Sequence, residues 1–228
     1  MIIAKFVAVV LIGYLLGSIP FGVLISRRSV RVDVRNYGSG KTGATNVLRV
    51  AGKKAAAVVV VLDIFKGVLA VIFAGLIIGG DYVAVGSSGF WWPVWSGEAA
   101  AALAAIAGHK WPVFLKFKGG RGTATFFGGL VALCPPAALV GGEILFLTAA
   151  LTRYASVGSI SGVLAAFVVL IPLTFISKFP VEYLIYALIG AIFIIVAHRD
   201  NLGRLAEGTE RKLGEKAKVA GSLPSANQ

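Results

Sequence analysis

Long apolar runs dominate this sequence, and they leave few folds open to the chain. Of its 228 residues, 57% are hydrophobic, and the mean hydropathy is +0.87. The hydrocarbon core of a membrane offers backbone groups no hydrogen-bond partner, so only helices and closed barrels cross it. Runs approaching 20 residues suit helices. We therefore expect an all-α integral membrane protein, a single domain over residues 1–228. Its seven transmembrane helices are expected near 6–26, 55–78, 98–108, 125–133, 137–151, 163–176 and 181–197.

The basic residues predict how these helices are oriented. The net charge is +12, and 19 of the 22 lysines and arginines fall at 27–54, 109–122, 152–156 and in the tail after 197. Seven spans place these segments on one face, and basic loops of membrane proteins lie in the cytoplasm. We expect the N-terminus outside, the C-terminus in the cytoplasm and residues 219–228 disordered. The charge favours anionic lipid and anionic substrates as partners. It does not favour nucleic acid, because no soluble basic domain is present.

The segment 108–125, GHKWPVFLKFKGGRGTAT, is the strongest candidate for a site. Its cations are Lys110, Lys116, Lys118 and Arg121, and its central glycines are Gly119, Gly120 and Gly122. Cations give charge-assisted hydrogen bonds to phosphate, and glycines let backbone N–H groups approach it closely. A helix that starts near Thr123 would add its positive end. The alternative is a charged loop that only orients the chain in the membrane.

A second glycine-rich segment covers residues 37–49. It nearly matches two nucleotide-binding motifs, but Arg35 stands where a P-loop needs glycine, and no βαβ pattern surrounds the spacing of Gly38, Gly40 and Gly43. Its glycines, hydroxyls and cations still offer N–H, O–H and positive charge to a phosphate. A flexible polar linker would have a similar composition.

Polar features also interrupt the apolar runs. Pro20 is expected to kink the first helix. Asp63 and Lys66 lie three apart in the second, where they can pair. Charges inside a span usually mark function, although a structural ion pair explains them equally well. The tryptophans at 91, 92 and 95 lie in a loop expected over 79–97 and suit a membrane interface.

Residues that bind metals or form disulfides are scarce. Cys134 is the single cysteine, which excludes an internal disulfide and a thiolate cluster. His109 and His198 are the two histidines, which argues against a zinc site. No carboxylate cluster suited to magnesium lies among the motifs. We expect no metal and no cofactor.

The motifs together carry a family resemblance. The matching residues are Gly17-Ser18-Ile19-Pro20, Gly38-Ser39-Gly40 with 43–47 and Arg49, Asp63 with Lys66-Gly67, Gly108-His109 with Pro112, Phe114 and 117–120, Arg153-Tyr154 with Ser156, and His198-Arg199 with Asn201 and Arg204-Leu205. In this order they closely resemble the bacterial acyl-phosphate:glycerol-3-phosphate acyltransferases, the PlsY family, over nearly the whole chain. The resemblance implies an inner-membrane enzyme that transfers a fatty acyl group from acyl-phosphate to glycerol 3-phosphate. The implied products are lysophosphatidic acid and phosphate, in the first acylation step of phospholipid synthesis.

The resemblance also implies roles for individual residues. The implied catalytic residues are Ser39, Lys118 and His198, and the implied substrate ligands are Gly38, Gly40, Arg49, Gly119, Gly120, Arg121, Ser156, Ser159 and Asn201. Ser39, its glycine neighbours and Lys118 would hold the acyl-phosphate. Arg49, Asn201, His198 and one of the two serines would hold glycerol 3-phosphate, and Arg121 could serve either anion.

Two positions depart from the family pattern. Lys41 replaces the usual Asn, and Arg121 often corresponds to Lys. Neither change removes a group that the chemistry needs, and Arg121 adds a planar fork for phosphate.

The implied donor is already activated, so positioning and electrostatics can drive the transfer. We expect direct transfer without an acyl-enzyme, because the sequence shows no nucleophile motif. His198 is the best side-chain candidate for general base, and a substrate phosphate oxygen is the alternative. We expect His109 to be structural. We expect an apolar groove for the acyl chain beside Pro20 and the small residues at 99–107.

Two other functions fit part of the sequence. A transporter for a phosphorylated metabolite would also need cations beside glycines, but transporters usually show two similar halves and a site at mid-membrane, and we find no repeat. A scaffold whose basic loops bind anionic lipid would leave the glycine spacing unexplained.

Overall fold

The structure of the protein is a computed structural model that describes residues 2–84 and 91–215. The helices are α1 (Ile2–Ser18), α2 (Phe21–Val30), α3 (Ala44–Ala84), α4 (Trp92–Lys110), α5 (Thr123–Leu133), α6 (Pro135–Thr152), α7 (Ala155–Phe175), α8 (Val181–Ala197) and α9 (Arg199–Ala206), with short 3₁₀ turns at Val34–Asn36 and Val113–Leu115. No β-strand occurs within these two ranges. The all-helical prediction is therefore confirmed, while the tail expected to be disordered at 219–228 lies outside the described residues.

Several predicted boundaries are wrong. α3 begins at Ala44, inside the loop expected over 27–54, and continues to Ala84. α4 begins at Trp92, so most of the described part of the loop expected over 79–97 is helical. Hydropathy hid the start of α3, because Arg49, Lys53 and Lys54 favour helix without being apolar.

The apolar helices support an integral membrane protein. Four spans are long and apolar enough to cross a membrane, namely Ile2–Val30, Ala44–Gly80, Pro135–Thr152 and Ala155–Phe175. α8 and α9, bent by 54°, make a fifth if the pair is one span. The apolar helix α5 has only 11 residues. The described residues thus give four or five candidate spans, and the count of seven and the sidedness stay predictions.

The first candidate span is broken where proline was expected to kink it. α1 ends at Ser18 and α2 begins at Phe21, so the break contains Ile19 and Pro20. Proline has no N–H to give to a helix and clashes with the preceding turn. The break leaves the carbonyl oxygen of Ile19 available to other partners.

Small residues bring α1 and α4 into close contact. A side chain at Gly13 would collide with the Ala101 carbonyl, and one at Gly17 with the Ala105 carbonyl. Such small residues allow membrane helices to approach closely and gain packing contacts. Ala101 and Ala105 are buried in this contact. Neither Pro20 nor residues 99–107 line the cavity described below, so that cavity does not lie where the acyl groove was expected.

Gly52 divides α3 into two parts. Its φ of 84° and ψ of −179° are non-helical, and residues with a side chain rarely adopt them. The break separates the first segment, 44–51, from the long apolar part of α3. The first segment, which carries Asn46 and Arg49, can therefore follow a direction different from that of the apolar part.

Candidate active site

Three helix starts face one cavity with a volume of about 600 Å³. The first residues of these helices, and those just before them, line its wall: Gly43 and Ala44 of α3, Gly122 and Thr123 of α5, and Ala155 and Ser156 of α7. The first N–H groups of a helix have no partner within the helix and carry partial positive charge. The helix expected to start near Thr123 is confirmed, and all three starts favour an anion in this cavity.

Asn46 shapes the glycine loop that carries Ser39. Its side-chain oxygen accepts from the Ser39 N–H at 3.1 Å, and its amide nitrogen donates to the carbonyls of Val34, Tyr37 and Lys41 at 2.9–3.0 Å. The loop also needs glycine, since φ is 58° at position 38 and 68° at position 40. Ser39 consequently lies on the cavity wall.

Two arginines next to the glycine loop, Arg27 and Arg35, do not line the cavity. Asp33 accepts hydrogen bonds from both Arg35 and Arg27, with the nearest guanidinium nitrogens at 2.7 and 2.8 Å. The hydrogen bonds from Arg35 hold the pKa of the Asp33 carboxyl well below its usual range. These two arginines therefore brace the turn before the glycine loop.

Two other arginines line the cavity with unused hydrogen-bonding capacity. The Nε atoms of Arg49 and Arg121 are buried and have no hydrogen-bond partner among the described residues. Burial lowers the pKa of Arg121 to about 10, so its guanidinium is still charged at neutral pH. Arg49 also donates through Nη2 to the Arg211 carbonyl at 3.1 Å. A buried N–H group without an acceptor is costly, and an anion in the cavity would offset that cost.

The tautomer of His198 follows from its backbone contact. Its Nδ1 lies 2.8 Å from the Ile194 carbonyl oxygen, which can only accept, so Nδ1 carries the hydrogen. In the neutral ring Nε2 is then the acceptor. His198 is 3% exposed and lines the cavity. A neutral ring in this tautomer is able to take a proton from a bound ligand.

The segment after α9 returns to the cavity through Glu210. This carboxylate accepts from Arg204 Nε at 2.8 Å and from Ser156 Oγ at 3.2 Å, and it also accepts from the side-chain amide of Asn201. Leu213 N–H donates to the Arg153 carbonyl at 2.7 Å, which holds the same segment against α6. Glu210 thus fixes three polar side chains of the wall. Its role was not predicted from the sequence, because Glu210 is one of four acidic residues after position 197 and nothing in the pattern distinguishes it.

The structure brings most of the predicted site residues together. The cavity is lined by Gly38, Ser39, Arg49, Arg121, Ser156, Ser159, His198 and Asn201. It is not lined by Gly40, Lys118, Gly119 or Gly120. Lys41, which departs from the family pattern, is also on the wall.

The turn before Arg121 explains why Lys118 and its glycines stay apart from the cavity. Lys118 is exposed. The N–H of Gly119 donates to the Lys110 carbonyl at 3.2 Å, and that of Gly120 donates to the His109 carbonyl at 3.0 Å, so neither is available to a phosphate. A side chain at Gly120 would collide with the His109 ring. These glycines permit close packing of the turn that presents Arg121.

An apolar arm extends the cavity away from the charged residues. Its walls come from α3, α5 and α6, and they are formed by Val60, Ile64, Phe127, Val131, Ala138, Gly142, Leu145, Phe146 and Ala149. Phe146 is 71% exposed on the outer surface of an apolar helix. The arm therefore lies beside a lipid-facing surface.

Comparison with known proteins shows the family of this chain. The family model described as "Glycerol-3-phosphate acyltransferase" matches residues 7–208. Glycerol-3-phosphate acyltransferase 3 of Dehalococcoides mccartyi is 57% identical, over 96% of this chain and 100% of the relative. The chain belongs to the glycerol-3-phosphate acyltransferase family. The family resemblance inferred from the motifs is confirmed.

Further relatives of this acyltransferase include an enzyme and a solved structure. The glycerol-3-phosphate acyltransferase of Shouchella clausii is 41% identical, over 94% of this chain and 98% of the relative. The crystal structure of PlsY (YgiH), an integral membrane glycerol 3-phosphate acyltransferase in its glycerol 3-phosphate form, is 36% identical with a TM-score of 0.76, over 92% of this chain and 96% of that chain. Its lysophosphatidic acid form has a TM-score of 0.74 at 34% identity, over 92% of this chain and 95% of that chain.

A buried charge cluster lies at the base of the cavity in this acyltransferase. Asp63, Lys66 and His109 are 1%, 2% and 6% exposed. Lys66 Nζ lies 2.8 Å from Asp63 Oδ1, 2.9 Å from His109 Nδ1 and 3.3 Å from the Ile19 carbonyl at the α1–α2 break. An ammonium group only donates, so His109 accepts through Nδ1. The cluster ties the broken span to α3 and α4, which agrees with the structural role expected for His109.

Removal of one member of this cluster should destabilise the protein. Lys66→Met leaves Asp63 buried without its cation, a change that costs about 3–5 kcal/mol in typical buried pairs. We expect a clear fall in the melting temperature of the purified protein, partly reversed in Asp63→Asn/Lys66→Met. Lys54→Met is the control, because Lys54 is exposed on the same helix. A melting temperature of Lys66→Met equal to that of the control would contradict this role.

Proposed function

We propose that this acyltransferase transfers a fatty acyl group from acyl-phosphate to glycerol 3-phosphate and releases lysophosphatidic acid and phosphate. The observation that carries the proposal is one cavity with two different ends. One end holds the buried, unpartnered Nε atoms of Arg49 and Arg121, and the other is the apolar arm. A phosphate suits the first end, and a fatty chain suits the second.

The polar end is proposed to bind glycerol 3-phosphate. Arg49 and Arg121 would donate to its phosphate, and Asn201 would contact its glycerol part, with Ser156 or Ser159 as a further hydroxyl ligand. The related PlsY structure named as a glycerol 3-phosphate form supports the choice of this ligand. Glu210 would keep Ser156 and Asn201 in place through its hydrogen bonds.

Acyl-phosphate is the proposed donor, with its chain in the apolar arm. Ser39 and the glycine loop would hold its phosphate beside the start of α3. Lys118 would join them by turning its exposed side chain towards the cavity mouth. The phosphates of the donor and of glycerol 3-phosphate then both lie in the polar end of the cavity. This arrangement places the acceptor hydroxyl beside the activated carbonyl carbon of the donor.

We propose direct transfer with His198 as general base. Its Nε2 would take the proton of a glycerol hydroxyl while that oxygen attacks the acyl carbonyl carbon. The bond from the carbonyl carbon to the phosphate oxygen then breaks, and phosphate leaves with the electron pair. The cations and helix starts of the polar end would stabilise the negative charge that develops on the carbonyl oxygen and the leaving phosphate. Cys134 is buried at the start of α6 and does not line the cavity, which favours a mechanism without an acyl-enzyme at this thiol.

The bacterial inner membrane is the proposed location, with the cavity on the cytoplasmic side. The clustering of lysines and arginines in the segments around the cavity supports this orientation. Glycerol 3-phosphate would enter from the cytoplasm, and the acyl chain would enter from the bilayer.

One assay tests the reaction. The purified protein in phospholipid vesicles is mixed with palmitoyl phosphate and glycerol 3-phosphate, and both products are measured. We expect lysophosphatidic acid and phosphate in equal amounts, and no product when acyl-CoA or acyl carrier protein replaces the donor. Uptake of glycerol 3-phosphate into the vesicles without product would favour a transporter and end the proposal.

The same assay tests His198. His198→Gln keeps a polar side chain but removes the proton acceptor, so we expect turnover to fall by a factor on the order of a hundred or more. Binding of glycerol 3-phosphate, measured by calorimetry, should persist. Lys178→Gln, far along the chain from the motifs and exposed, is the control. Near-normal turnover in His198→Gln would exclude the role and favour a substrate phosphate as base.

A further inference from the structure

The apolar arm has a continuous wall on α6. Ala138, Gly142, Leu145 and Ala149 line it at intervals of four, three and four residues, which places them on one face of the helix. Ala149 lies near the polar end, since its helix stops three residues later, just before Ser156 and Ser159. From Ala149 to Ala138 the helix rises by about 16 Å at 1.5 Å per residue.

Gly142 interrupts this wall with open space. A side chain built at Gly142 meets no heavy atom within 4 Å. The neighbouring glycine behaves differently, because a side chain at Gly141 would press against Ala166 and the Gly162 carbonyl of α7. Close helix packing therefore explains the glycine at 141 and does not explain the one at 142. The space beside Gly142 belongs to the arm itself.

Gly142 lies at a depth in the arm that long acyl chains would pass and short ones would not. It lies seven residues from Ala149, about 10 Å of helix rise. A short chain that starts at the polar end stops near this point, whereas a long chain must pass it. Phe127 and Val131 of α5 also line the arm, so a bulky residue at 142 would narrow the space between α6 and the rest of the wall.

We propose that Gly142 determines which acyl-chain lengths the enzyme accepts. The missing side chain leaves the far half of the arm open, so that long fatty chains extend past it towards Ala138 and Val131. This inference rests on the proposed acyl-phosphate reaction and adds the substrate class: long-chain donors. A larger residue at 142 closes the far half and restricts the enzyme to short donors.

The test compares two donors across matched glycine variants. The kcat/KM values for palmitoyl phosphate and octanoyl phosphate are measured for the wild type and for Gly142→Leu. Gly80→Leu is the control, because a side chain there also meets no heavy atom within 4 Å, but Gly80 does not line the cavity. We expect the ratio of palmitoyl to octanoyl activity to fall in Gly142→Leu by a factor on the order of ten to a hundred. The KM for glycerol 3-phosphate and the ratio in the control should not change.

The outcomes separate this inference from the proposed function. A wild type inactive with both donors removes the proposed reaction and this inference with it. An active Gly142→Leu with the wild-type ratio overturns the inference alone. If Gly142→Leu does not fold, Gly142→Ala and Gly142→Val are measured instead, and the ratio should fall with side-chain volume. A ratio that is constant across this series, or a similar fall in Gly80→Leu, overturns the inference.

Discussion

The site depends on arginine N–H groups that are buried without a hydrogen-bond partner among the described residues. Arg49 and Arg121 come from segments more than seventy residues apart, yet both place a buried, unpartnered Nε on the same cavity. Removing a guanidinium from water is costly unless an opposite charge meets it. The starts of α3, α5 and α7 add partial positive charge to the same volume. The fold thus maintains a positively charged cavity that favours binding of an anion.

Other contacts hold the rest of the cavity wall in place. Asn46 folds the glycine loop, Glu210 fixes Ser156 and Asn201, and the cluster of Asp63, Lys66 and His109 supports the base of the cavity. None of these supports needs to touch the reacting atoms. The apolar arm continues from the polar end of the cavity along lipid-facing helices. A single ligand with a phosphate head and a fatty tail therefore suits the polar end and the arm together.

Much of the fold follows from hydropathy, and much of the site does not. Apolar runs give an all-helical membrane protein, whereas most of the site residues that reach the cavity were predicted from the family resemblance. The start of α3 was missed because Arg49, Lys53 and Lys54 give it the charge of a basic loop. Glu210 was missed because its partners become visible only when the tail folds back. Gly119 and Gly120 illustrate the opposite error, since their N–H groups are bonded to the preceding helix end and only the packed structure reveals it.

The most direct test is an experimental structure of the protein with glycerol 3-phosphate bound. The account predicts that the phosphate oxygens lie about 3 Å from guanidinium nitrogens of both Arg49 and Arg121, with the glycerol directed towards His198. A phosphate bound elsewhere, or one held by neither arginine, would contradict the central claim that these buried charges exist to bind an anionic substrate.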